Sequence, residues 1–301
     1  MSEFLVIPYL KVQAANFQSS GLVMGGAPLM AAAMFSHHLA RQVNAKDCGF
    51  HYVHHHIQRL GGEAYGRFTP AQRRGSVFIG KSDYSSKNKY ALSLQPTASC
   101  HLLLSLVIEF KKKVLGGVNL NTFVSAIKRS KFAGGHILEF GQVQSHEQIE
   151  DALAQVGSGF LVHDRHDLLS KYQQAYQVNR LQAFTQLLAT KTPHKDSDTP
   201  ALALLPNESV AWLSATTLGY ALLEQATDER SGIRHADHQE NTQHAYAEPL
   251  TGLIQYQSLN HVLHEVSLKD STYPDDYLEQ SQWQHQWLND DIFLLQQQKN
   301  H

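Results

Sequence analysis

The order in which strand-type and helix-type segments follow one another is the feature that most limits the folds open to this sequence. Apolar, strand-type runs lie at residues 4–13, 50–57, 76–79, 89–94, 101–110 and 136–140. Helix-type segments lie at 29–43 and at 122–130, the second with Asn121 as its expected N-cap. The resulting order, β-α-β-β-β-α-β, predicts a ferredoxin-like unit that carries an insertion.

The rest of the chain has a different pattern. A capping-box pattern at residues 145–148 predicts a helix to about Val156, and Asp164 is a candidate cap for a helix that reaches Tyr176. Short extended segments are expected at 160–162 and 210–221, a turn-rich linker at 191–200 and a polar insertion at 228–243. The last two segments, 250–266 and 275–297, are expected to be helical.

Together these patterns predict an α+β protein in two parts. Residues 1–143 are expected to form a ferredoxin-like core with a basic, β-rich insertion around 58–90. Residues 144–301 are expected to form a more helical, acidic part that completes the core and docks partners.

Charge is distributed very unevenly along the chain, although its net charge is only −2. Residues 1–135 contain 16 Lys and Arg against 5 Asp and Glu, whereas residues 136–301 contain 9 against 22. The densest basic stretch has no carboxylate and contains Lys111, Lys112, Lys113, Lys128, Arg129 and Lys131. A half-chain with this excess of cations indicates a polyanionic partner, and nucleic acid is the simplest one. The acidic half is either solvated surface or a docking face for a basic partner.

Other features of the sequence argue against secretion, membrane insertion and cysteine-based scaffolds. No basic region precedes the first apolar run, so a secretory signal is not expected. The longest stretch without a formal charge, residues 12–40, is interrupted by polar side chains and by Gly25-Gly26-Ala27-Pro28, so no membrane span is expected. Two cysteines provide neither a disulfide framework nor a zinc knuckle. We expect a cytoplasmic protein with no membrane partner.

The 19 histidines are candidates for catalysis or metal binding. The run from Cys48 to His56 contains four of them, but it lacks the ligand spacing of zinc sites and contains no carboxylate. No HExxH, G-x-S-x-G or P-loop motif occurs anywhere in the chain. No metal and no cofactor are therefore predicted, and no catalytic residue is singled out, although spacing leaves a Ser/His/Asp or Cys/His triad open.

Two glycine pairs are candidates for contact with phosphate groups. Gly25-Gly26 precedes a helix whose free amides and dipole favour an anion. Gly134-Gly135 follows Lys128, Arg129 and Lys131, so a backbone that permits close approach lies beside three cations. The polar side chains that follow the first strand are candidates to bond RNA sugars or base edges: Gln13, Asn16, Gln18, Ser19 and Ser20.

A third candidate surface lies in the insertion. Its cations are Arg67, Arg73, Arg74 and Lys81, and the aromatic residues Tyr65, Phe68 and Tyr84 lie between or beside them. Aromatic rings among cations can stack on bases while the cations contact phosphates.

Several segments, in order along the chain, resemble one family. LVIPYLKVQAANFQSSGLVMGGAPLMAAAMFSHHLARQ at 5–42 resembles the opening of the type I-F CRISPR subunit that binds the 5′ handle of the guide RNA. KFAGGHI at 131–137 resembles that family's A-G-G-S-I motif, with His136 in place of the serine. Later segments also resemble family blocks: GFLVHDRHDLL at 159–169, LGYALL at 218–223 and EPLTGLIQYQSLNHV at 248–262.

This resemblance implies a RAMP-type protein with a ferredoxin-like, RRM-like core. Its expected role is that of a non-catalytic subunit at the 5′ end of the crRNA, beside the large subunit and the first backbone subunit of the surveillance complex. The resemblance assigns RNA contact to Gln13, Asn16, Ser19, Ser20, Gly25, Gly26, Lys131, Gly134 and Gly135, with His136 at the family's serine position. Because base pairing reads the target, such a subunit is expected to bind the shape and backbone of the guide.

Two alternatives remain at this stage. One is a metal-free RAMP endoribonuclease that processes repeat RNA with His37, His38 or a histidine of the 51–56 run as general acid or base. The other is a variant subunit that also contacts the protospacer-flanking motif in double-stranded target DNA. Residues 67–81 and 228–243 are the expected sites of that contact.

Overall fold

A computed structural model describes residues 2–21, 23–71, 73–74, 94–95, 98–111, 119–189, 205, 208–227, 244–268 and 273–297. The predicted segments at 76–79, 191–200 and 228–243, most of 89–94, and Lys81 lie outside these residues. None of the described helices is long and apolar enough to cross a membrane.

The first part of the chain contains long strands and two helices. The strands are β1 (Ser2–Asn16), β2 (Asp47–Ala64), β3 (Arg67–Pro70), β4 (Arg73–Arg74), β5 (Leu94–Gln95), β6 (Ser99–Lys111), β7 (Lys131–Phe132), β8 (Gly135–Glu139) and β9 (Gln144–His146). The helices are α1 (Leu29–Gln42), which connects β1 to β2, and α2 (Leu120–Arg129), which lies between β6 and β7.

The second part alternates helices and strands. The helices are α3 (Ile149–Val156), α4 (His166–Tyr176), α5 (Arg180–Ala189), α6 (Leu259–Val266) and α7 (Tyr277–Gln280). The strands are β10 (Phe160–Asp164), β11 (Leu213–Leu222), β12 (Ala247–Ser258), β13 (Trp283–Trp287) and β14 (Ile292–Gln297).

Strands from both parts join one antiparallel sheet of 12 strands in the order β10-β12-β11-β14-β13-β2-β6-β1-β8-β7. β3 pairs with β2, β9 pairs with β1, and β10 makes an additional pairing with β2. Both β13 and β10 therefore pair with β2, so strands of the second part of the chain lie against strands of the first part. The protein is thus an α+β protein built on a large antiparallel sheet, with β4 and β5 forming a separate pair.

Helices cover both faces of this sheet. Alternate residues of β1 point to opposite faces: Leu5 and Ile7 pack in the main core with α1 and α2, whereas Val6 packs with α3 and α6. A third apolar cluster joins α4 and α5 to Leu253 of β12. Around Val6 the sheet face opposite α1 is therefore covered by α3 and α6, whereas Lys11, Gln13 and His56 line a depression of about 340 Å³ farther along the sheet.

Most predicted elements of the first part are confirmed, but two predicted caps are wrong. Asn119, not Asn121, is the N-cap of α2, because its side chain accepts a hydrogen bond from the amide of Thr122 at 3.1 Å. Ser145 caps no helix either: it lies in β9 and its hydroxyl donates to Glu3 Oε1 at 2.6 Å. Asp164 does accept from the first amide of α4, His166 N, at 3.0 Å.

The prediction of two carboxyl-terminal helices is largely wrong. Residues 247–258 form β12, which pairs with β11 on one side and β10 on the other, and only Leu259–Val266 is helical. Residues 283–297 form the β13–β14 hairpin, whose turn is closed by Asn289 Oδ1 accepting from the amides of Asp291 and Ile292. Pairing with distant strands overrides a local composition rich in Gln and Leu that favours helix.

Candidate nucleic-acid interface

The loop between β1 and α1, residues 17–28, is held by its own hydrogen bonds. Asn16 Oδ1 accepts from Gln18 N at 3.0 Å and Asn16 Nδ2 donates to Gln18 O at 3.0 Å. Farther along, Gly25 N donates to Phe17 O at 2.9 Å, and Ser19 N donates to Val23 O at 3.1 Å. The loop is thus a closed structure with a defined shape, and not an open linker.

Strand β11 anchors this loop from the other part of the chain. Thr216 Oγ1 donates to Ala27 O at 2.7 Å, and Thr217 Oγ1 donates to Ser19 O at 2.8 Å. Gly26 lies so close to β11 that an added Cβ would be 2.4 Å from Ala215 O. Gly26 therefore permits contact between two backbones, which is a structural reason for glycine at this position.

The second glycine pair forms the tip of the β7–β8 hairpin. Phe132 pairs with Gly135, and the two residues between them have positive φ angles, 47° at Ala133 and 74° at Gly134. This is the conformation of a two-residue type I′ turn, which favours glycine. The hairpin tip is fixed to the first loop because Asn16 N donates to Ala133 O at 2.8 Å.

These two loops and the first turn of α1 enclose a cleft of about 270 Å³. Five of the predicted RNA-contact residues line it: Asn16, Ser19, Gly25, Gly26 and Gly134. Met30 and Ala31 line it too, and the first intrahelical bond of α1 runs from Ala32 N to Pro28 O. The amides of Met30 and Ala31 therefore have no intrahelical acceptor and lie at the positive end of the helix dipole.

A neighbouring depression of about 470 Å³ continues from the cleft and shares Ala31 and Ala133 with it. Arg129, Lys131 and His38 line this depression. Arg129 and Lys131 are exposed, and no carboxylate of the described residues lies within salt-bridge distance of either cation. The cleft and the depression together join free backbone amides to unpaired positive charge. We call the two together the loop cleft.

Three further predicted residues are aligned across the sheet beside the loop cleft. Gln13 of β1 is opposite His136 of β8, and His136 is opposite Lys131 of β7. All three are exposed. Directly opposed residues of neighbouring strands point to the same face, so they form one polar row leading to Lys131.

The structure does not bring every predicted residue to this surface. Lys128 lines a different groove, with Val124 and Leu138. Arg67 is exposed on β3, in the hairpin that β3 forms with the end of β2. Arg73 and Arg74 form β4, which pairs with β5 and not with the main sheet. The hydroxyl of Ser20 accepts from Val23 N at 3.2 Å, within the loop itself.

The histidine run of β2 is mainly a part of the core. His51 is buried and its Nε2 bonds Leu278 O at 2.8 Å, and burial lowers its pKa to about 4. Burial, with lesser contributions from His55 and His56, also lowers the pKa of His54 to about 4. His55 bonds Ser105 and stacks on Tyr9, with burial lowering its pKa. Only His56 of the four is exposed.

Some residues that line the loop cleft were not predicted as site residues from the sequence. Thr216, Thr217 and Tyr220 of β11 and Phe17 line it, and nothing in their local pattern indicates a site. β11 reaches the amino-terminal loop only through the tertiary fold, so no local pattern could have identified it.

The family to which this chain belongs can be stated from its sequence as a whole. It matches the family described as CRISPR-associated protein (Cas_Csy2) over residues 5–286, nearly its full length, and so belongs to that family of type I-F Csy complex subunits. The comparison with curated proteins found no match.

Proposed function

We propose that this protein is a non-catalytic subunit of the type I-F surveillance complex that binds and caps the 5′ handle of the crRNA in the loop cleft. The observation that carries the proposal is the convergence of Asn16, Ser19, Gly25, Gly26 and Gly134 on one cleft next to Arg129 and Lys131. Free amides at the start of α1 suit phosphate oxygens, and the exposed cations suit neighbouring phosphates.

We further propose that residues 1–143 form a ferredoxin-like RAMP core. The sheet order β8-β1-β6-β2, with α1 between β1 and β2 and α2 between β6 and β8, supports this topology. The helices α3 and α6 of the second part cover the sheet face opposite α1 around Val6, which favours RNA binding at the loop cleft over base stacking on that part of the sheet.

The proposed protein partners are the large subunit and the first backbone subunit. The acidic excess of residues 136–301 favours docking of a basic surface on this part of the chain. In this arrangement the loop cleft contacts RNA, acidic surface of residues 144–301 contacts protein, and the subunit bridges the two partners.

A second role, contact with the protospacer-flanking DNA, is favoured by the β2–β3 hairpin. Tyr65 at its tip is fully exposed, Arg67 beside it is exposed, and Arg59 lies 4.6 Å from the Phe68 ring centroid. An exposed aromatic residue next to cations suits contact with a duplex end. Replacing Tyr65 and Arg67 by Ala should then weaken binding of target DNA by the assembled complex without changing crRNA recovery.

The endoribonuclease alternative uses His37, His38 or a histidine of the 51–56 run, and of these His38 lies in the depression beside Arg129 and Lys131. It predicts metal-free cleavage of repeat RNA by the purified chain that the His38→Ala variant loses. Intact repeat RNA after incubation with the unmodified chain would favour the non-catalytic role.

The main test is to co-express the chain with its genomic neighbours, purify the complex through this subunit and sequence the bound RNA. Uniform short RNAs that begin with one repeat-derived 5′ end are expected. The double variant Arg129→Ala with Lys131→Ala should reduce their recovery several-fold. A matched control is Arg41→Ala with Lys46→Ala, which removes two exposed cations from the opposite end of α1. Random cellular RNA, or equal losses in both variants, would contradict the proposal.

A further inference from the structure

Three side chains from three different elements meet beside α1. They are His37 of α1, Asp47 at the start of β2 and His285 of β13, and one ligand atom from each lies within 4.8 Å of the others. His37 Nδ1 is 3.3 Å from Asp47 Oδ1, and His285 Nδ1 is 4.0 Å from Asp47 Oδ2. Nothing in the local sequence marks this cluster, because each residue comes from a different element.

Among the described residues, no Lys or Arg lies within salt-bridge distance of the carboxylate at its centre. The Asp47 side chain is only 6% exposed, and the two histidines are its only ion-pair partners within 4.0 Å among the described residues. Burying a carboxylate without a cation or metal is costly, and neutral imidazoles compensate the charge only in part. The arrangement therefore has unfilled capacity for a cation.

One donor spacing already suits a small transition-metal ion, and the others, which reach up to 4.8 Å, would have to shorten as the histidine rings turn. Two ligands at 2.0–2.1 Å from zinc in a tetrahedral arrangement lie about 3.3 Å apart, which matches the distance from His37 to Asp47. The side chains of His37 and His285 are 48% and 26% exposed, so both rings have room to turn toward a shared ion. Their rings already face one another edge to face, with centroids 5.8 Å apart.

We propose that His37, Asp47 and His285 form a binding site for a divalent transition metal, with zinc the best-suited ion. Two imidazole nitrogens disfavour magnesium and calcium, which prefer oxygen ligands. Three protein ligands leave the fourth tetrahedral position to water.

The position of the site gives the metal a structural role. β13 and β2 share only one registered pair, Trp283 with Phe50, and α1 packs beside both strands. A metal bound by one residue from each of these three elements would fasten the carboxyl-terminal hairpin to the amino-terminal core. None of the three ligands lines either part of the loop cleft, so this structural role is separate from the proposed RNA contact.

The test uses the full chain, with any affinity tag removed, stripped of metal by EDTA and then titrated with Zn²⁺ against a chromogenic chelator. One equivalent is expected to bind and to raise the melting temperature, since a ligand that binds only the folded state stabilises it. Titration with Co²⁺ in place of Zn²⁺ should give the intense visible absorption of a tetrahedral site.

Variants distinguish metal binding at this site from metal binding by other histidines on the surface. His37→Ala, Asp47→Asn and His285→Ala should each weaken Zn²⁺ binding by more than about tenfold, and should abolish the Co²⁺ absorption. His38→Ala removes the neighbouring exposed histidine of α1 and should leave both unchanged. His37 is the most exposed of the three ligands, so its variant keeps the test valid if another fails to fold. Absence of saturable binding by the unmodified chain, or equal binding by His37→Ala and His38→Ala, would overturn the proposal.

Discussion

The amide of Asn16 donates a hydrogen bond of 2.8 Å to the carbonyl oxygen of Ala133, which joins the end of β1 to the tip of the β7–β8 hairpin. This single bond connects the two loops that carry the glycine pairs. Because the loops are fixed to each other, the amides and cations around the cleft have a set spacing before any ligand binds. Preorganisation of this kind lowers the entropy cost of binding.

The side chain of Asn16 should be needed for this preorganisation. Asn16→Ala removes both hydrogen bonds to Gln18, and each such bond contributes about 1 kcal/mol. We expect crRNA recovery with the complex to fall several-fold. Asn179→Ala is the control, because Asn179 Oδ1 makes a similar local bond to Gln182 N at the start of α5. An equal fall in both variants would indicate a general loss of stability.

Gly26 should tolerate no side chain. An added Cβ would be 2.4 Å from Ala215 O, and the φ angle of Gly26 is 74°. We expect Gly26→Ala to lower the free energy of unfolding by about 2 kcal/mol or more, because backbone must move and an unfavourable conformation is imposed. Urea unfolding of Gly21→Ala provides the comparison, since nothing lies within 4 Å of the Cβ position there. Equal midpoints for the two variants would show that β11 does not approach the loop closely.

Trp283 should stabilise the junction of the carboxyl-terminal hairpin with the core. It is fully buried and its Nε1 donates to Val162 O at 2.9 Å. Trp283→Phe removes ring volume and leaves that carbonyl without this donor, so we expect a loss of about 2–3 kcal/mol in thermal or urea unfolding. Trp287→Phe, on the same strand but 59% exposed, should cost less than about 0.5 kcal/mol. A similar loss in both would contradict the assigned burial.

The pH dependence of stability should report the buried histidines. Burial lowers the pKa of His51 to about 4, whereas an unfolded histidine titrates near 6.5. Between these values the unfolded state binds more protons, so the free energy of unfolding falls as the pH falls from 6.5 to 4. From pH 7.5 to pH 5 the contribution of His51 is a loss of about 2 kcal/mol.

The His51→Gln variant should therefore lose less stability than the unmodified chain over this interval, measured by urea unfolding at both pH values. His56→Gln is the control, because His56 is exposed on the same strand. If His51→Gln and the unmodified chain change equally between pH 7.5 and pH 5, His51 is not buried in its neutral form.

Local pattern was sufficient where the residues of an element by themselves favour its conformation. Glycine and proline at 25–28 placed the start of α1, and the apolar runs of β1 and β6 placed the central strands, because alternation and helix propensity act over a few residues. Local pattern failed to predict β12 and the β13–β14 hairpin. Their extended form depends on pairing with β10, β11 and β2, and composition alone carries no information about distant partners.

The sequence by itself determined the basic and acidic halves, the glycine pairs and the family. The tertiary structure alone decided that β11 anchors the first loop through Thr216 and Thr217, and that His37, Asp47 and His285 meet. It also decided that α3 and α6 cover the sheet face opposite α1 around Val6. The physical reason is the same in each case: a hydrogen bond, ion pair or apolar contact depends on distance in space, and folding brings together residues whose separation along the chain gives no sign of it.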